Sequence, residues 1–125
     1  LSKRKVNIKP AIPTETELQI SVVEYLTTVG KNLDAFFFHV PNQGIRKGNY
    51  ANKLKRMGLK SGVSDLVFIL PGGKVGCIEL KRERGGSQTQ PQKDFQKAVE
   101  KLGCPYVLCK SLENVLDTLK KWKCL

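Results

Sequence analysis

Asp65, Glu79 and Lys81 lie in a stretch, Gly62 to Lys81, whose other residues read as buried β-structure. An unpaired carboxylate in such surroundings is costly, so something must compensate the two acids. Two β-rich runs, Leu66 to Leu70 and Val75 to Leu80, flank Pro71-Gly72-Gly73, and the spacing predicts a hairpin closed by a glycine-bearing loop. If that loop has three residues and a glycine in the left-handed conformation, Leu70 pairs with Lys74 and, counting back, Asp65 pairs with Glu79. Paired residues share a face, with Cβ atoms about 4.5 to 5.5 Å apart; a two-residue loop would turn the carboxylates to opposite faces. Lys81 joins the face of Glu79 by the two-residue period of a strand. Two carboxylates and an ammonium on one side of a hairpin need a cation between the acids, and oxygen ligands of this kind suit Mg2+ or Mn2+.

The elements around the hairpin must position these groups. Thr14 and Glu17 have the spacing of a capping box, which starts a helix at Thr14 and gives Glu17 a structural task. Glu15, Gln19 and Val22 share one face of that helix, and Leu18, Val22, Tyr25 and Val29 mark its core stripe, so Glu15 stands at the inner edge and can aim at the sheet. For both glutamates the alternative is a first-turn acid favoured by the helix dipole. Ala35 to Val40 reads as a first strand, apolar enough to be central, ended by Pro41 and carrying the single histidine, His39. One histidine cannot build a histidine-based metal site. The glycine-bearing loop Gln43 to Tyr50 holds Arg46 and Lys47, which either touch a nucleic-acid backbone or are simply solvated. A short helix follows, Ala51 to Met57, with Lys53, Lys55 and Arg56, stopped by Gly58. Lys60-Ser61-Gly62 leads into the hairpin, where the glycine permits either a phosphate to approach closely or an ordinary tight turn.

Beyond the hairpin, Ser87 or Thr89 caps a helix with Pro91 in its first turn, Gly103 as its stop, and Phe95, Ala98, Val99 and Leu102 as its apolar stripe. Tyr106 to Cys109 is a last core strand, and Ser111 caps a final helix that turns Leu112, Val115, Leu116, Leu119 and Trp122 to the core. The order α-β-α-β-β-α-β-α predicts an α/β fold, a mixed central sheet flanked by helices. At 125 residues the chain reads as a basic arm over 1–13 followed by one domain over 14–125. It has 22 Lys plus Arg against 11 Asp plus Glu, a net charge of +11 that favours an anionic polymer as partner. No apolar run is long enough to span a bilayer and the basic N-terminus lacks the apolar core of a signal peptide, so no membrane partner is expected and the expected compartment is intracellular. Cys77, Cys104, Cys109 and Cys124 show no metal-binding spacing and read as free thiols.

One ordered set runs through these elements: Glu15 with Gln19, Phe38-His39-Val40-Pro41-Asn42, Met57 through Asp65, Ile78-Glu79-Leu80-Lys81, and Gln92 before Phe95. From Thr14 to Ser111 it resembles the VRR-NUC family, the virus-type replication and repair nuclease domains of the PD-(D/E)xK superfamily. Ser64 departs from the pattern, standing where the family usually has proline before the aspartate. The resemblance implies a restriction-endonuclease-like core and Mg2+- or Mn2+-dependent hydrolysis of DNA phosphodiesters. By likeness, Glu15, Asp65, Glu79 and the backbone carbonyl of Leu80 would hold the metal. Lys81 would orient a water and stabilise charge on the phosphorus, and Gln92, otherwise a helix cap, would line the site. Gln19, His39 and Asn42 are carried over as nucleic-acid contacts, beside the basic Arg46, Lys47, Lys53 and Lys60. Similarity to stand-alone viral members further implies branched DNA such as Holliday junctions and, for paired cuts on a two-fold junction, a homodimer. The rival readings are a nucleic-acid-binding module of the same fold without turnover, and a sequence-specific restriction-type nuclease.

Overall fold

The structure, a computed structural model, describes residues 12–28, 30, 32–41 and 48–125. The elements are α1 (Glu15–Thr28), β1 (Phe36–His39), α2 (Asn49–Arg56), β2 (Leu66–Ile69), a single 3-10 turn (Pro71–Gly73), β3 (Val75–Leu80), α3 (Gln90–Lys101), β4 (Tyr106–Cys109) and α4 (Leu112–Lys121). The strands form one four-stranded sheet in the order β1-β2-β3-β4. The first two pairings are antiparallel, and β3 pairs with β4 in parallel across the crossover helix α3. This is the α/β arrangement that the order of elements predicts, and it fits the restriction-endonuclease-like core that the resemblance implies. Most of the basic arm, residues 1–11, lies outside the described residues, as do Val29, Asn42, Arg46 and Lys47.

The hairpin has the three-residue loop. Leu70 donates its N–H to the carbonyl of Lys74 at 2.7 Å, and Gly72 and Gly73 take φ of +80° and +77°, values that a side chain would strain. Leu66 therefore pairs with Ile78 and Ile69 with Val75, and one step further back Asp65 stands opposite Glu79. Gly76, in β3, serves a different purpose: a Cβ there would press into the Trp122 ring at 2.5 Å, so the missing side chain lets the end of α4 close on the sheet.

Packing explains the rest. Thr14 Oγ1 accepts from the N–H of Glu17 at 3.1 Å and Glu17 Oε1 accepts from the N–H of Thr14 at 3.4 Å, completing the capping box of α1. Leu18, Val22 and Leu26 are its buried stripe and enter the main core with Leu66, Phe68, Ile78, Leu80, Val115 and Leu119. Two expectations are corrected. β1 is an edge strand, not a central one: Phe37 stacks on Phe68 at 5.5 Å between ring centroids, but Phe36 is 70% exposed. A run of aromatics reads as buried on both faces, and only its alternation, set by the single neighbour β2, shows that it is not. Likewise α3 has no fully buried side chain. It packs on β4 through Phe95, 6.2 Å from the Tyr106 ring, while Ala98 is exposed and Leu102 is 82% exposed.

Candidate active site

The end of the hairpin away from its loop gathers the acids. Asp65 is partly buried, just before β2, and its Oδ2 accepts the N–H of Leu80 at 2.7 Å. The side chain thus takes a backbone donor that would otherwise continue the ladder between the strands. Because N–H and C=O of one strand residue face the same neighbour, the Leu80 carbonyl is directed toward β2 as well. Glu79 is 2% exposed. Its Oε1 accepts from Gln92 Nε2 at 3.0 Å and lies 3.9 Å from the ammonium of Lys81, which is itself 5% exposed. Its Oε2 is buried and has no hydrogen-bond partner.

Burial, then the charge of Asp65, push the Glu79 carboxyl up to about 8, and Lys81 offsets this only in part. Without a cation, the ionised form of Glu79 is therefore disfavoured. An acid that is dry, orphaned at one oxygen and raised by a second carboxylate lacks positive charge in its surroundings. The residues fit a hard divalent ion on this ground, with Asp65, Glu79 and the Leu80 carbonyl offering oxygen donors.

Gln92 has two tasks at once. Its Oε1 accepts the N–H of Thr89 at 2.9 Å while Thr89 Oγ1 accepts the N–H of Gln92 at 3.4 Å, a capping box at the start of α3. The cap fixes the carboxamide so that its NH2 faces Glu79. Gln92 thus caps α3 and contacts Glu79 with the same carboxamide. Gly62 explains how α3 comes so near: its φ is +77°, and a Cβ there would strike the backbone at Pro91 and at Gln92 N, the latter at 2.6 Å. The glycine sits in the turn that the sequence allowed there and, in addition, admits the start of α3.

A cleft of about 560 Å³ opens between α1 and the sheet beside Asp65, lined among others by Glu15, Gln19 and His39. The His39 ring nitrogen Nδ1 lies 2.6 Å from the Asp65 carbonyl. A carbonyl only accepts, so Nδ1 carries the hydrogen. Glu15 shares the cleft with Asp65, whereas Glu17 is turned back on Thr14. Among the described residues, however, no three His, Cys, Asp or Glu side chains gather tightly enough to hold a metal ion. The structure brings together Asp65, Glu79, Lys81 and Gln92, and leaves Glu15 in the adjoining cleft.

Lys53 lines a separate surface hollow with Asn49, Asn52 and Arg56 on α2, and Lys60 is exposed on the segment leading to the hairpin. Sequence reasoning missed Thr16, Ile20, Val23 and Glu24, which line the cleft. The offset of four residues from Gln19 was the available signal for Val23.

No sequence-family profile matches the chain, and no curated protein matches it. Solved structures do. A VRR_NUC domain protein is similar with a TM-score of 0.70 and 26% identity, over 90% of this chain and 89% of its own. A VRR_NUC domain, 20% identical, shares the fold with a TM-score of 0.56 over 87% of this chain and 97% of its own.

Proposed function

We propose that this chain, which belongs to the VRR-NUC family, is a divalent-metal-dependent DNA endonuclease that cuts branched DNA. The observation that carries the reading is the buried, unpartnered Oε2 of Glu79 beside Asp65 and Lys81. Asp65, Glu79 and the Leu80 carbonyl would hold Mg2+ or Mn2+, and Glu15 would join from the cleft, directly or through water. When bound, the ion supplies Lewis acidity at a phosphate oxygen and lowers the pKa of a coordinated water.

The chain's own residues do the rest. Lys81, dry and held beside Glu79, faces the charge that builds on the phosphorus; in a low-dielectric site a fixed ammonium stabilises that charge without solvent reorganisation. Gln92 holds Glu79 in one orientation, and the hydrogen bond from Leu80 does the same for Asp65. His39 anchors the backbone of Asp65 from β1 and lines the cleft. DNA is the polymer that the family and the net charge of +11 favour. Paired cuts on a junction would need two copies related by a two-fold axis.

The test is cleavage of a four-way junction and of a matched linear duplex, with Mg2+ or Mn2+, by wild type and by Asp65→Ala. The expected outcome is metal-dependent cutting of the junction, faster than of the duplex, and a loss of at least about 10²-fold in the variant. Equal rates in the two proteins would remove Asp65 from the chemistry. Tight binding with no cutting by either would leave a binding module of the same fold, and cutting confined to one duplex sequence would favour the restriction-type reading.

A further inference from the structure

We propose that the cleft between α1 and the acids is a base pocket, which receives the nucleobase of one unpaired nucleotide next to the scissile phosphate. The proposal rests on the nuclease reading above and adds how the substrate is chosen. Three observations carry it: position, shape and charge. The cleft shares Asp65 and Glu15 with the candidate site, so whatever fills it lies beside the phosphate held there. At about 560 Å³ it falls within the range of about 300 to 1,000 Å³ that holds a small organic molecule. Ile20 and Val23 give it an apolar wall on α1, and Ile20 is left 51% exposed on that helix.

Charge selects which part of a nucleotide enters. Of the three acids that line the cleft, Glu15 and Asp65 are taken up by the ion, and the charge of Glu24 would repel a second phosphate. A neutral ring is not repelled, and its exocyclic amino groups match the Glu24 carboxylate and the Gln19 carboxamide oxygen. A base within a continuous duplex must unpair and unstack before it can enter, at a cost smallest for a nucleotide that is already unpaired. The cleft would therefore favour branch points and single-stranded ends over uninterrupted duplex without reading their sequence.

The experiment combines a protein change with a substrate change. After the cut on a junction is mapped, the nucleotide on either side is replaced in turn by an abasic residue, and each substrate is cleaved by wild type and by Ile20→Ala, an exposed-site change monitored by thermal melting. At one of the two positions, loss of the base should slow wild type by about tenfold, in line with the stacking contribution of one base. Ile20→Ala should slow cleavage of the intact substrate by several-fold and of the abasic one not at all. In parallel, 2-aminopurine at that position should change its fluorescence on binding in Ca2+, and less so with Ile20→Ala. If cleavage is metal-dependent but indifferent to the abasic replacement at both positions, the base pocket is overturned while the nuclease reading stands. If Ile20→Ala instead alters sedimentation and slows both substrates equally, the cleft is occupied by a second copy of the chain and the proposal falls. Should no DNA be cut at all, the nuclease reading fails, and an unchanged 2-aminopurine signal then removes the pocket as well.

Discussion

Glu79 is the residue on which the site's thermodynamics turn. Its carboxyl ionises at about 8 in the folded protein, against an ordinary value near 4.5. The folded state therefore binds more protons than the unfolded chain between those two values, and stability must fall as pH rises through that window. A shift of this size corresponds to roughly 3 to 5 kcal/mol when fully expressed. Thermal melting in EDTA should accordingly show wild type losing stability from about pH 5 to pH 8, relative to Glu79→Gln, which keeps an acceptor for Gln92 and has no such proton to lose. Mg2+ or Mn2+ should restore wild type, and by more at pH 8 than at pH 6, because binding must displace the proton. Parallel curves for the two proteins would mean that Glu79 is not under electrostatic strain. His39 belongs to this scale too, yet its contact with the Asp65 carbonyl left no trace in the sequence, since a backbone acceptor has no residue type.

At the scale of elements, the site depends on α3 being docked by its first turn. Gly62 makes that docking possible, since any side chain there meets the backbone of Pro91 and Gln92 while also occupying a φ of +77°. Gly62→Ala should destabilise the fold by about 2 to 3 kcal/mol through strain and overpacking. It should also displace Gln92 from Glu79, so that activity falls further than the loss of folded protein explains; denaturation curves and kcat measured on the folded fraction separate the two. An alanine variant with wild-type kcat would show that α3 can retreat without disturbing Glu79. The same elements show what could be read in advance. The pairing of Asp65 with Glu79 was legible because loop length alone fixes the register of a hairpin. The edge position of β1 was not, because Phe36, Phe37 and Phe38 are equally apolar and only the neighbouring strand decides which of them is covered. The half-bare stripe of α3 misled for the same reason: helical spacing shows which residues share a face, but the sheet edge decides how much of that face is covered.

Across the whole molecule, charge is divided in a way that bears on mechanism. The chain has a net charge of +11, yet the cleft beside the candidate site is lined by Glu15, Glu24 and Asp65. Attraction for DNA must therefore come from basic groups away from the reacting atoms, such as those on α2, whose last turn carries Lys53, Lys55 and Arg56. Binding and chemistry should then respond differently to salt. If about six phosphates are contacted, the affinity for a junction should fall about 10³-fold between about 50 and 200 mM monovalent salt, with a slope near −5 in logarithmic coordinates. The single-turnover rate at saturating protein should change little over that range, because the carboxylates and ammonium at the reacting centre are partly or wholly buried and screened far less than surface charges. Replacing Lys53 and Arg56 together by alanine should shallow the slope by about two and leave the saturated rate intact. A saturated rate that falls in step with affinity would place those basic groups at the reacting phosphate, and the separation of an attracting surface from an acidic cutting cleft would be lost.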